Sequence, residues 1–213
     1  MNRVLKKIRQ DNKELITFEE LKKYCKELYF NYKNTSDYLV SRGYLVRILD
    51  DIYYVKTVDE ISQKKLRYSI LELVGKGLNL NNVYNWYFGL YTALKLNKID
   101  YNHQNRFFYL INDRISKNKL IKILGKKFRF LTFKNALFNF GIINRKIRYS
   151  NLEKTILDLI YLWEYSHMNE NVILIELSKL LDGISEEKIL EYSQYYPLSN
   201  KNILKKALKN YKF

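Results

Sequence analysis

Six polar residues at helical spacing carry the most specific chemistry in this sequence. Lys33, Asn34, Asp37, Tyr38, Ser41 and Arg42 share the polar face of a short predicted helix. An asparagine amide matches the edge of adenine in a DNA major groove, and an arginine guanidinium matches that of guanine. Arg47, just beyond the helix, is a candidate for a phosphate oxygen. The blander alternative is a solvated helix face used for protein contacts. A second group is purely cationic: Lys117, Lys119, Lys122, Lys126, Lys127, Arg129, Lys134, Arg145, Lys146 and Arg148. Such a run either meets a polyanion or is simply solvated, and salt dependence separates the two, at a slope of about −0.9 per neutralised phosphate.

Catalytic chemistry finds little support. A nuclease needs clustered carboxylates to hold metal ions. The acids between residues 61 and 155 are Glu72, Asp100, Asp113 and Glu153, and Glu153 is expected to cap a helix. Glu186-Glu187-Lys188 contains a Glu-x-Lys triplet, but it begins a helix and has no Pro-Asp partner. There is no P-loop, dinucleotide-binding glycine loop or nucleophile elbow. Cys25 is the one cysteine and falls on an apolar stripe, which makes it a core residue. His103 and His167 stand in polar, loop-like settings, too few for a zinc site with that single thiol. The expectation is a protein without catalytic residues, metal or cofactor, with a magnesium-dependent nuclease as a minor alternative.

The elements that position the six polar residues are legible nearby. Val4–Asn12 reads as a first helix. Thr17-Phe18-Glu19-Glu20 is a capping box opening a second, which runs to about Leu28. The third helix, Thr35–Arg42, ends at Gly43, because glycine accepts the left-handed backbone after a last turn. Tyr44–Leu49 and Ile52–Thr57 then form a hairpin through Asp50-Asp51. Strict alternation puts Tyr44, Val46, Ile48, Tyr53 and Val55 on one face, and Arg47, Tyr54 and Lys56 on the other. Three helices and a hairpin in some sixty residues make a winged-helix unit.

The remainder, 61–213, reads as a second α+β domain. A helix is expected over about 59–76, ended by Gly75 and Gly77, and a buried helix over 83–96. Strands are expected at 106–111, 127–133, 136–142 and 146–150. Ser150-Asn151-Leu152-Glu153 looks like another capping box, opening a helix through Trp163. Further helices follow at about 172–181, 185–195 and 199–211. The fold class is therefore α+β: a winged helix-turn-helix, then a small sheet with helices.

Charge is unevenly spread over the 213 residues. Residues 1–60 carry 12 Lys/Arg against 10 Asp/Glu, residues 61–155 carry 19 against 4, and residues 156–213 carry 7 against 8. The excess thus sits in the middle, where it attracts polyanions. No apolar run approaches the roughly 18 residues of a membrane span, and the start lacks the apolar core of a signal peptide. With a single thiol, a cytoplasmic location without membrane contact is expected.

The segments TFEELKKYC and SDYLVSRGYLVRILDDIYYV resemble the winged-helix start of AbiEi-type antitoxins, regulators of viral defence. VYNWYFGLYTALKL resembles that family's helix after the linker. RKIRYSNLEKTILDLIY is similar to its signature, a strand leading into a Glu-(Arg/Lys)-Thr helix. The likeness spans roughly residues 15–165. It implies an antitoxin that binds its own promoter as monomer or dimer, represses the operon, and counteracts a nucleotidyltransferase-like toxin. A stand-alone winged-helix regulator is the alternative. One departure stands out: the hairpin tip is Asp50-Asp51, where family wings carry basic residues and glycine. Each carboxylate repels a nearby phosphate by about 1 kcal/mol in water, which moves DNA contact to the third helix and the basic middle region.

Overall fold

The computed structural model describes residues 2–101 and 107–211. His103, and Arg106 at the start of an expected strand, lie outside that set. The chain forms two compact units, one built on the chain up to Tyr84 with Lys122–Lys126, the other on Asn85–Ile121 and the chain from Lys127 onward. It is a mixed α+β protein with a three-stranded antiparallel sheet, a six-stranded mixed sheet and C-terminal helices.

In the first unit, α1 (Arg3–Gln10) buries Val4, Leu5 and Ile8. The short strand β1 (Leu15–Thr17) follows, then α2 (Phe18–Glu27). The Thr17 capping box forms as expected: Thr17 Oγ1 accepts the Glu20 amide at 3.2 Å, and Glu20 Oε2 accepts the Thr17 amide at 2.9 Å. Such a cap contributes about 1 kcal/mol. Leu21 and Cys25 face the core, Cys25 at 1% exposure. Helix α3 (Tyr32–Ser41) begins three residues earlier than expected because Asn31 Oδ1 caps the Asn34 amide at 3.0 Å. Between α2 and α3, Tyr29 takes φ 58° with its side chain 98% exposed.

Strands β2 (Leu45–Leu49) and β3 (Ile52–Val55) pair with Leu49 opposite Ile52. The expected face assignment is corrected, however. A bulge between Arg47 and Leu49 shifts the ladder, so Arg47 faces Tyr53, Val46 faces Tyr54 and Leu45 faces Val55. One extra residue exchanges the two faces of a strand. Leu45, Tyr53 and Val55 therefore join the core formed with α1 and α2. Strand β1 pairs with β3, giving the order β1-β3-β2.

The helix expected over 59–76 is two helices, α4 (Val58–Ser62) and α5 (Ile70–Leu80). Between them Lys64 adopts φ 52°, and a capping box at Ser69 and Glu72 starts the chain afresh. Gly75 and Gly77 do not end a helix but lie buried inside α5. A Cβ on Gly77 would stand 3.3 Å from Leu49 Cδ1, so this glycine lets α5 approach the hairpin closely.

In the second unit, the helix expected over 83–96 is replaced by β4 (Trp86–Phe88) and α6 (Leu90–Leu96). Gly89 separates them where any Cβ would collide with the Ile111 side chain, and Leu90 takes φ 54°. Then come β5 (Phe107–Asn112), β6 (Ile121–Ile123) and β7 (Lys126–Thr132), with Lys122–Lys126 counted to the first unit. As expected of alternating residues, Phe128 and Phe130 are buried while Lys127 is exposed. The strand expected over 136–142 is a 3-10 turn, Asn135–Phe138, whose Leu137 and Phe138 point into the core. Strands β8 (Ile142–Asn144) and β9 (Arg148–Ser150) complete the sheet, in the order β6-β7-β5-β4-β9-β8. The β5–β7 and β4–β9 pairs are parallel, and β4–β5 and β8–β9 antiparallel.

Four helices follow: α7 (Leu152–Tyr165), α8 (Glu170–Ser178), α9 (Glu186–Ser193) and α10 (Leu198–Tyr211). Ile156, Leu159, Ile160 and Trp163 form the buried stripe of α7, as expected. Its cap differs: Asn151 Oδ1, not Ser150, takes the Lys154 amide at 3.0 Å. The Ser150 hydroxyl is engaged with Thr155 at 2.7 Å, and Glu153 reaches the Ser185 amide at 3.2 Å, at the start of α9. No helix among the described residues is long and apolar enough to cross a membrane.

Candidate nucleic-acid interface

Helix α3 is pinned from one side only. Thr35, Ser36 and Leu39 are buried, and Tyr53 Oη lies 3.3 Å from Tyr32 Oη and 3.5 Å from Ser36 Oγ. The Tyr32 phenol is pushed up to about 12, by burial first and then by the Tyr53 hydroxyl, so it stays a neutral hydrogen-bonding group. The opposite side carries Lys33, Asn34, Asp37, Tyr38, Ser41 and Arg42, every one of them exposed. The six residues singled out in the sequence thus share one open face.

Two of these side chains are held in place. The Arg42 guanidinium lies 5.9 Å from the centre of the Tyr38 ring, which itself is 6.4 Å from the Tyr44 ring. A ring under a guanidinium restricts its rotamers, lowering the entropy lost when it contacts a base or phosphate. The Ser41 hydroxyl donates to the Tyr38 carbonyl at 3.0 Å, so it is partly engaged within its own helix. Arg47 is exposed on β2, on the face that also carries Leu45, above the Tyr53 ring at 5.8 Å, and its Nε donates to the Asp50 carbonyl at 3.1 Å. The exposed tip residues Asp50 and Asp51 end the hairpin, and the Asp51 carbonyl accepts the Phe18 amide at 2.7 Å.

The ten cations of the middle region are distributed over several strands and loops. Lys122, Lys126, Lys127 and Arg129 belong to β6, β7 and their turn, at one edge of the six-stranded sheet, with Lys117 and Lys119 in the loop before β6. Lys134 follows β7, while Arg145, Lys146 and Arg148 belong to the β8–β9 hairpin at the opposite edge. Arg129 is half-buried and donates to the Asn118 carbonyl at 2.9 Å. Arg148 is half-buried over the Trp86 ring at 5.9 Å, and burial lowers its pKa. The remaining eight are exposed.

A buried polar cluster went unforeseen. Lys154 and Asp158, one turn apart on α7, are both fully buried, with Nζ 3.4 Å from Oδ1. Tyr87 donates to Asp158 Oδ2 at 2.9 Å, and Tyr196 to Oδ1 at 2.6 Å. The ammonium donates to Tyr196 Oη at 3.2 Å and lies 4.7 Å from the ring centres of both Tyr87 and Phe140. Burial lowers the Lys154 pKa and raises that of Asp158, against the attraction between them. The signal was present in the sequence: a Lys and an Asp four apart inside KTILDLIYLW, where neighbouring apolar residues leave no solvent face. The cluster ties α7 to β4 and to the segment after α9.

Among the described residues, no group of three or more His, Cys, Asp or Glu could hold a metal ion. His167 is exposed just after α7, and burial pushes the Cys25 thiol up.

The class that this geometry defines is a mixed α+β protein with an exposed helix face beside a hairpin in its first unit. No family model matches the sequence, and no curated protein does. Among solved structures, the fold is similar to that of the RV2827C protein from Mycobacterium tuberculosis, with a TM-score of 0.54 over 97% of this chain and 75% of that one. At 10% identity, this likeness concerns the fold alone.

Proposed function

We propose that this chain is a DNA-binding antitoxin that represses its own operon and counteracts a nucleotidyltransferase-like toxin. The carrying observation is the open face of α3, six exposed polar side chains at one helical spacing. Around it, α1, β1, α2, α3 and the β2–β3 hairpin follow one another in the order of a winged helix-turn-helix, with a four-residue turn between α2 and α3. In this reading α3 enters the major groove, Asn34 and Arg42 meet base edges, and Lys33 and Arg47 meet phosphates. Asp37 discriminates by accepting from cytosine or by repelling the wrong register.

Residues 1–60 supply the DNA-binding domain and 61–213 the antitoxin domain, in the cytoplasm and without a cofactor. The antitoxin half rests on the resemblance carried by RKIRYSNLEKTILDLIY; a stand-alone regulator lacks that half. The acidic tip makes the hairpin a brace for α3 rather than a clamp on the backbone. Two copies at an inverted repeat would occlude the promoter.

Gel shifts on the DNA upstream of the reading frame test the first half. The parent should bind with strong salt dependence and Arg42→Ala should weaken it. Equal binding by the two proteins removes α3 from the interface. Co-expression of the full chain with the adjacent gene tests the second half: growth rescue that survives Arg42→Ala separates antidote from repressor, and a neighbour with no toxicity leaves the stand-alone regulator.

A further inference from the structure

A cavity of about 500 Å³ opens in the second unit, and none of the residues of the DNA reading lines it. Tyr91, Tyr101 and Trp163 supply aromatic walls, and Asp100 and Glu176 supply carboxylates. The Tyr91 and Tyr101 rings stand 5.8 Å apart at 31°. The Trp163 indole donates to Tyr91 Oη at 2.8 Å, so indole and phenol fix one another's orientation. Tyr101 Oη donates to Glu176, and Lys179 Nζ reaches Glu176 Oε1 at 2.7 Å. Burial and the Glu176 carboxylate raise the Tyr101 phenol, and burial raises Tyr91, so both rings stay uncharged and keep their electron-rich faces.

These walls narrow the ligand class. The volume falls in the range of small-molecule sites, roughly 300–1,000 Å³. Among the described lining residues two carboxylates stand against one lysine, in a chain of net charge +16, so this acidic lining is no by-product of the general charge. An anion meets carboxylates there. An inorganic cation needs a shell of oxygens that aromatic walls do not offer. Aromatic faces beside carboxylates suit a charged nitrogen wrapped in carbon, which loses little hydration on entry. We propose that this cavity binds a small organic cation of the alkylammonium type, its charge between the aromatic walls and Glu176, with Asp100 at the rim.

Titration calorimetry on the full chain at low ionic strength tests this, with choline chloride as the probe and dimethylbutanol, its uncharged isostere, as control. Choline should bind saturably and about tenfold or more tighter than the isostere. Glu176→Gln keeps a hydrogen-bonding side chain for Tyr101 and should weaken choline about tenfold, and Asp100→Asn about threefold, with unchanged circular dichroism. If Glu176→Gln fails to fold, the isostere ratio and Asp100→Asn decide the matter. No heat with choline at high millimolar concentration, equal binding of the isostere, or choline affinity indifferent to both substitutions overturns the assignment.

Discussion

Replacing Lys154 by methionine removes one buried ammonium while keeping most of the volume of its stem. Both members of the pair are at 0% exposure, so water cannot compensate the charge left behind. Asp158 would retain the Tyr87 and Tyr196 hydroxyls, at 2.9 and 2.6 Å. Stripping one partner from a buried pair costs about 3–5 kcal/mol. The two phenol donors soften this, so the loss should fall near the lower end, about 3 kcal/mol. For a chain of this size that corresponds to roughly 6–12 °C in melting temperature. The double variant Lys154→Met with Asp158→Leu removes both charges but leaves two buried hydroxyls without an acceptor, at about 1–3 kcal/mol each. Adding Tyr87→Phe and Tyr196→Phe should bring stability back close to the parent. Urea unfolding of the four proteins, taken as a series, measures each step. A Lys154→Met cost below about 1 kcal/mol, the scale of an exposed pair, would refute the account of a dry, interdependent cluster.

Three further outcomes follow from the first unit. Arg42→Ala should cost about 1–3 kcal/mol of specific DNA affinity, whereas Lys33→Ala should weaken all sequences alike and lower the salt slope by about one, both read from gel shifts over a salt series. Glu14 is bound by Lys76 at 2.8 Å and by Tyr68 at 2.6 Å, and also pairs with Arg67. Burial works to raise its pKa, but these hydrogen bonds and charges outweigh it and hold the carboxyl below its usual range. Its stabilisation is therefore complete above the unfolded carboxylate's pKa and disappears as pH falls through the depressed folded value. Glu14→Gln should lower the urea midpoint at neutral pH and flatten the acid limb, and a parallel acid limb in both proteins would count against this. Tyr29→Gly should raise stability by about 0.5–1 kcal/mol in thermal unfolding, since the left-handed backbone at φ 58° suits glycine and the ring is 98% exposed.

Local chemistry made the first unit readable. The capping box at Thr17, the stop at Gly43 and the polar stripe of α3 depend on residues within one or two turns of each other, so the chain states them directly. Strand β1 does not: three residues become a strand only because β3 offers them a partner. The bulge after Arg47 is equally silent, and it sends Leu45, rather than Val46, to the core beneath α3. Gly75, Gly77 and Gly89 were open to two meanings. Glycine marks a chain reversal or a close approach, and only the positions of Leu49 and Ile111 decide in favour of approach at Gly77 and Gly89. The candidate DNA face was legible because one helix carries it whole. How the cationic group divides was not legible, because sequence proximity does not reveal that β6–β7 and β8–β9 lie at the two ends of the strand order. Lys154 and Asp158 escaped notice because a charge on a helix is ordinarily solvated, and only the apolar residues on every side of them reveal otherwise.

The order of strands in the larger sheet has a consequence for how the protein is made. Strand β4 is flanked by β5 on one side and by β9 on the other, and Phe88 meets Tyr149 across the latter pair. The far flank emerges from the ribosome roughly sixty residues after β4, a delay of several seconds at ordinary rates of elongation. Throughout that interval β4 presents an unfilled row of amides and carbonyls beside Trp86, Tyr87 and Phe88, an invitation to chaperones and to neighbouring nascent chains alike.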